Sequence, residues 1–243
     1  IVMTLGMIII VFIIIKEFFL DPKNKNDKFK LPELIKIPKT SNLESIDLKN
    51  NNISMVVTLD DGTQKLIIIT FDDGYENISK IALDILNQFD QKATCFIVLN
   101  KIDHTNSWDN NLKKINSTKL MNSSQIREWI DNGYEIGSHT LDHKDLTKLT
   151  YENKKIQIIK SFFKLNENFG IKSESFSYPY GKYDQECIDI LKENYSFAVT
   201  TKKSLYNYKK NNNYEIPRIS IGPKNSIFKF LLKTLTIYEN LKL

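Results

Sequence analysis

The 243 residues carry 34 basic and 29 acidic side chains, a formal charge of +5, and are 41% hydrophobic and 26% charged. That size suits one domain of the α/β-barrel class, and the balance excludes a disordered or collagen-like chain. The positive excess is mild and scattered, with no nucleic-acid motif and no interleaving of aromatic and basic residues, so no nucleic-acid partner is expected.

Residues 1–15 are almost wholly apolar, followed by Lys16 and Glu17 and then by Phe18, Phe19 and Leu20. Fifteen residues are few for a bilayer span, which takes about 20, but the sequence begins at Ile1 and no small-x-small cleavage pattern follows the run. The expectation for residues 1–20 is a membrane anchor or signal-like segment that tethers the chain to a membrane. A hydrophobic first strand or helix of the domain is the alternative. Residues 21–52 are rich in Lys and Asn and carry Pro22, Pro32 and Pro38, the composition of a polar linker. Its basic stretch, residues 23–30, reads as a solvated run, with anionic lipid headgroups as the other candidate contact.

From residue 53 to 243 short apolar runs alternate with amphipathic stretches. Residues 65–71 form a β-branched run that predicts a buried parallel strand. Apolar positions 78, 81, 82, 85, 86 and 89 have helical spacing. The pattern then predicts a strand over 93–99, a helix over 125–132 ending at Gly133, and a strand over 134–137. A helix over 151–169 closes at Gly170. Strands over 175–178 and 197–200 flank a helix over 185–194, with a last strand over 216–221 and a final helix over 227–235. Such alternation predicts βαβ units around a parallel sheet. Of the two cysteines, Cys95 and Cys187, the first lies in an apolar run and reads as a small buried hydrophobe.

Three polar clusters fall just after predicted strands, where parallel α/β folds place their active sites. The first is Thr70-Phe71-Asp72-Asp73-Gly74-Tyr75. Adjacent carboxylates at a strand end point in different directions, so one can ligate a metal while the other faces substrate. Asp-Asp-Gly is also ordinary turn chemistry, the reading given to Asp60-Asp61-Gly62. The second cluster, residues 137–143, holds two of the three histidines, His139 and His143, at a spacing that lets both rings converge on one metal. Two surface histidines beside a helix would look the same. The third, Tyr178-Pro179-Tyr180-Gly181, is either a plain turn or a backbone N–H aimed at an oxyanion beside an aromatic wall for a sugar. Trp108, Trp129 and Tyr183 are further aromatic candidates for a glycan groove, or packing residues.

In their order and spacing, TFDDGY, GSHxxxH and PYG resemble the polysaccharide deacetylase family, the NodB-homology domains of carbohydrate esterase family 4, over residues 66–221. The resemblance implies an irregular (β/α) barrel. It implies one divalent metal, zinc foremost with Co, Ni, Mn or Fe as alternatives, held by Asp73, His139 and His143. It implies Asp72 as general base, and Pro179 and Tyr180 at the substrate, with the Tyr180 N–H toward the oxyanion. The implied activity is removal of N-acetyl or other N-acyl groups from an amino-sugar polysaccharide or glycan. The catalytic domain is expected on the extracytoplasmic side of the membrane, with the cytoplasmic face as the alternative, which the basic flank after Leu20 favours. A deacylase of a lipid-linked amino sugar, and a catalytically impaired carbohydrate-binding protein on the same fold, are the alternatives.

The sequence departs from the family's pattern twice. The arginine that many members carry before the third motif's proline is missing from Phe176-Ser177-Tyr178, and Arg218 is expected to replace it. No histidine follows His143, so the family's late acid histidine is absent. His104, in a polar loop, is expected to be a surface residue, with the acid role as its alternative.

Overall fold

A computed structural model describes residues 5–13, 55–58, 64–109, 117–205, 212–222, 229–230 and 233. The expected linker over 21–52 and most of the expected helix over 227–235 lie outside the described residues.

Strand β1 is Leu5–Ile13, β2 is Met55–Thr58 and β3 is Gln64–Phe71. The β2 strand pairs antiparallel to the first half of β3, and the expected turn at Asp60-Asp61-Gly62 lies outside the described residues. A π-helical turn, Ile78–Ala82, runs into helix α1, Leu83–Gln88. Then come β4, Ala93–Ile97; α2, Ser123–Asp131; β5, Glu135–Ser138; and α3, Tyr151–Phe169. The chain continues through β6, Ser175–Ser177; α4, Gln185–Leu191; β7, Phe197–Val199; and β8, Ile219–Ile221.

The sheet order is β7-β6-β5-β4-β3-β1-β8, and every neighbouring pair along it runs parallel. Beyond β7, Ala198 N–H donates to the Asn213 carbonyl (2.9 Å), Ile216 N–H to Ala198 (3.0 Å) and Thr200 N–H to Ile216 (2.8 Å). Hydrogen bonding therefore continues from β7 into the chain that becomes β8, and the sheet curls into the irregular (β/α) barrel implied by the resemblance. The expected last strand is split: Ile216 makes a single bridge to Val199, and regular pairing starts only at Ile219.

The core explains these elements. Every residue of β4 is buried. Cys95 and Ile97 pack outward with Trp129, Leu86 and Leu165, while Phe96 packs with Val199 and Ile216. A strand covered on both faces reads as a continuous apolar run, as this one does. Helix α2 begins earlier than its hydrophobic pattern because Asn122 and Gln125 form a reciprocal capping box. Along α3, Ile158 and Phe162 meet Phe176, Ile190 and Leu191 in a second cluster. Buried Lys154 ties α3 to α4 through Asp184 and Glu186. At Gly137 a side chain would run into the Phe96 ring and Ser175 Oγ, so the close approach of β4, β5 and β6 requires glycine there.

Candidate active site and metal centre

Strand β3 delivers Asp72 and Asp73 at its C-terminal end. The chain turns away through two consecutive left-handed residues, Asp73 (φ 71°) and Gly74 (φ 73°). Gly74 suits that conformation, and a Cβ there would stand 2.9 Å from Ile97 Cγ2. Strand β5 delivers His139, whose N–H donates to the Ile97 carbonyl (2.9 Å). The loop then tightens through Thr140 (φ 69°) and His143 (φ 57°), with His143 N–H donating to Thr140 Oγ1 (3.0 Å). A β-branched residue in the left-handed region is strained, and such strain gathers where a site over-determines the backbone.

The result is a compact donor set. Asp73 Oδ1 lies 3.5 Å from His139 Nε2 and 3.2 Å from His143 Nε2. One donor atom from each residue lies within 4.8 Å of the others. Both imidazoles are buried, whereas Asp73 keeps one fifth of its side chain exposed. His139 Nδ1 is 2.7 Å from the Ser177 carbonyl. That carbonyl can only accept, so Nδ1 carries the proton and the Nε2 lone pair faces Asp73 when the ring is neutral. One carboxylate and two imidazoles converging this closely fit a divalent metal with coordination positions left for water and substrate.

The electrostatics agree. Burial would raise the Asp73 pKa, but hydrogen bonds from His139 and His143, and their charge, hold it far below the usual carboxylate range. Burial would lower the His139 pKa, yet the charges of Asp72 and Asp73, the hydrogen bond to Asp73 and the Ser177 carbonyl together raise it above its ordinary 6.5.

Asp72 faces the other way. Arg218 forks onto it, NH1 to Oδ1 at 2.9 Å and NH2 to Oδ2 at 2.8 Å. Arg218 is 1% exposed. Its remaining donors reach the Thr200 carbonyl (2.8 Å), Thr70 Oγ1 (3.2 Å) and Ser177 Oγ (3.2 Å). Ser177 Oγ in turn donates to Asp72 Oδ2 (3.1 Å). The structure thus brings Arg218, from the segment just ahead of β8, onto Asp72. Ser177, Thr70 and the Thr200 carbonyl complete the cage, a role that the sequence did not assign to them.

Pro179 is buried and starts the 3-10 turn that presents Tyr180, at φ 60° and 47% exposed, beside the site. The Tyr180 ring meets His143 edge-on, 4.7 Å between centroids. An open cleft of about 470 Å³ begins here, lined by Trp108, His143 and Tyr180 with Asp142, Asp145, Leu149 and three lysines, Lys144, Lys148 and Lys182. Of the other aromatic candidates, Trp129 is fully buried and donates its indole N–H to the Glu135 carbonyl (2.9 Å). Tyr183 stacks on Tyr178 and donates to Glu215 (2.9 Å). Both are packing residues. His104 lines a separate hollow of about 400 Å³.

Comparison with known proteins agrees with this geometry. Over 182 residues the chain is 28% identical to the poly-beta-1,6-N-acetyl-D-glucosamine N-deacetylase of Staphylococcus epidermidis, covering 70% of this chain and 58% of that protein. The chain spans little more than half the length of the curated relatives it matches first. Among solved structures, the Streptococcus pyogenes deacetylase PplD, determined with acetate, superposes with a TM-score of 0.61 at 23% identity, covering 70% of each chain. BC0361, a polysaccharide deacetylase from Bacillus cereus, superposes with a TM-score of 0.62 at 19% identity, covering 94% of this chain and 68% of that one. These two likenesses establish the common fold. Residues 59–195, more than half of the chain, match the family described as polysaccharide deacetylase, and the chain belongs to that family.

Proposed function

We propose that this chain is a metal-dependent hydrolase that removes N-acetyl groups from an amino-sugar polymer. The observation that carries the reading is the pairing of a forked Asp72–Arg218 unit with the Asp73, His139 and His143 donor set. The former suits a base, the latter a metal.

Asp73, His139 and His143 would hold the metal, and zinc suits one carboxylate and two imidazoles best, with Co, Ni, Mn or Fe as substitutes. When bound, the metal supplies Lewis acidity toward the acyl carbonyl and lowers the pKa of water. Asp72 takes the proton of the attacking water. Arg218 and Ser177 fix both carboxylate oxygens, so the base is oriented before substrate arrives. The Tyr180 N–H is assigned to the developing oxyanion, and Trp108 and Tyr180 wall the cleft where a sugar ring would lie. The chain's third histidine, His104, lines a separate hollow, so among the described residues no further histidine reaches the site. The proton taken by Asp72 is therefore assigned to return to the leaving amine.

A described site whose histidines are His139 and His143 alone also favours a second reading, a sugar-binding protein on the same fold with no turnover. The deciding experiment titrates the metal-free full chain with zinc and then measures acetate release from N-acetylglucosamine oligomers. Expected are one-to-one binding that His139→Ala abolishes, and turnover that Asp72→Asn lowers by about 10²–10⁴-fold. Binding without acetate release selects the second reading, and folded protein with no saturable site sinks both.

A further inference from the structure

The two histidines are held in different ways. His139 has the usual arrangement of a metal-ligating imidazole, its far nitrogen hydrogen-bonded to the Ser177 carbonyl (2.7 Å). His143 does not. Its Nδ1 is buried and has no hydrogen-bond partner among the described residues. Aromatic faces surround it instead. Trp108 stacks on the ring with centroids 4.4 Å apart and planes 21° apart. Tyr180 and His139 meet it edge-on at 4.7 and 4.8 Å.

Trp108 is itself firmly placed. Two residues before it, buried Asn106 exchanges hydrogen bonds with Thr118, N–H to carbonyl at 3.1 Å and Oδ1 from the Thr118 N–H at 2.6 Å. A bridge between Thr105 and Lys119 pins the same loop, and the indole packs against the core cluster that contains Phe71 and Ile97. A segment pinned by these bonds thus holds a flat surface against an imidazole that lacks the usual acceptor among the described residues.

We propose that Trp108 is the positioning residue of His143. Its indole face fixes the plane of the imidazole so that Nε2 points at Asp73 Oδ1, a task that the Ser177 carbonyl performs for His139. The inference rests on reading Asp73, His139 and His143 as the metal centre. Trp108 therefore acts on metal affinity through the ligand it orients, in addition to walling the cleft.

The test compares zinc dissociation constants of the full-length wild type, Trp108→Ala and Trp108→Phe. Emission from the remaining tryptophan, buried Trp129, reports that each variant is folded. Loss of an orienting partner weakens metal binding about 10- to 100-fold, and that is the result expected for Trp108→Ala. Trp108→Phe keeps a flat ring on the imidazole and should recover most of the loss. Cobalt(II) in place of zinc gives a second readout, because its visible bands change when a ligand tilts and stay put when only the cleft wall is lost. Equal affinity in all three proteins overturns the proposal, as does equal weakening in both variants, which would point to the indole N–H or the ring's bulk. Wild-type protein that binds no metal overturns the proposed function itself, and this inference with it.

Discussion

Two parallel hydrogen bonds tie the Arg218 guanidinium to the Asp72 carboxylate, and both groups are withdrawn from water. Removing one member of a buried pair leaves the other charge stranded, so Arg218→Ala should destabilise the fold by about 3–5 kcal/mol, read from urea unfolding. Arg218→Lys keeps the charge but cannot reproduce the fork. It should fold, with kcat reduced, because a point charge cannot hold both carboxylate oxygens in place. A Lys variant with unchanged kcat would show that the fork does not orient the base. The donor set was legible in the sequence because Asp73, His139 and His143 belong to strand-end motifs with fixed spacing. Arg218 was legible through the arginine missing before Pro179. The roles of Ser177, Thr70 and the Thr200 carbonyl were not: they come from distant segments with no shared periodicity, and only the folded sheet brings them to one guanidinium. Nor could composition tell Trp108, at the cleft, from Trp129, in the core.

Among the elements, α3 matches its predicted bounds at both ends, because its hydrophobic stripe stops at a glycine in left-handed conformation. The β2 strand was not predicted, since four residues offer too short an alternation to recognise. The apolar N-terminal run admitted two readings, and hydropathy cannot separate a membrane segment from a strand covered on both faces. In the structure Leu5–Ile13 pairs with β3 from Leu5 to Phe12 and with β8 from Val11 to Ile13, and no described helix is long and apolar enough to cross a membrane. Both backbone edges of the segment are thus used inside the sheet. A chain beginning at Asp21 would open β3 and β8 as unpaired edges, a template for aggregation. It should lose its cooperative thermal transition by circular dichroism and elute as aggregate. A shortened chain that melts like the full one would assign residues 1–20 to a role outside the barrel, the membrane anchor included.

At the scale of the whole molecule the site couples to stability, because its residues come from the ends of β3, β5 and β6 and from the segment leading to β8. A ligand that binds only the folded chain adds about 2.7 kcal/mol when present at 100 times its dissociation constant. For a domain of this size that raises Tm by roughly 5–10 °C. The pH dependence fixes the sign of two opposing effects. The His139 pKa is raised above its ordinary 6.5 by its acidic neighbours, so in metal-free protein its contribution is complete below that pH and is lost as pH rises through the raised value. Asp73 is shifted far downward, so its own contribution stays constant near neutrality and fades only in acid. Metal binding must displace the His139 proton, and its affinity therefore grows over the same range. Calorimetry between about pH 6 and 8 should find the metal-free Tm drifting down while the zinc-induced increment grows. In His139→Ala both trends should vanish together. An increment that is flat with pH, or that survives in His139→Ala, would mean that zinc binds elsewhere on the chain.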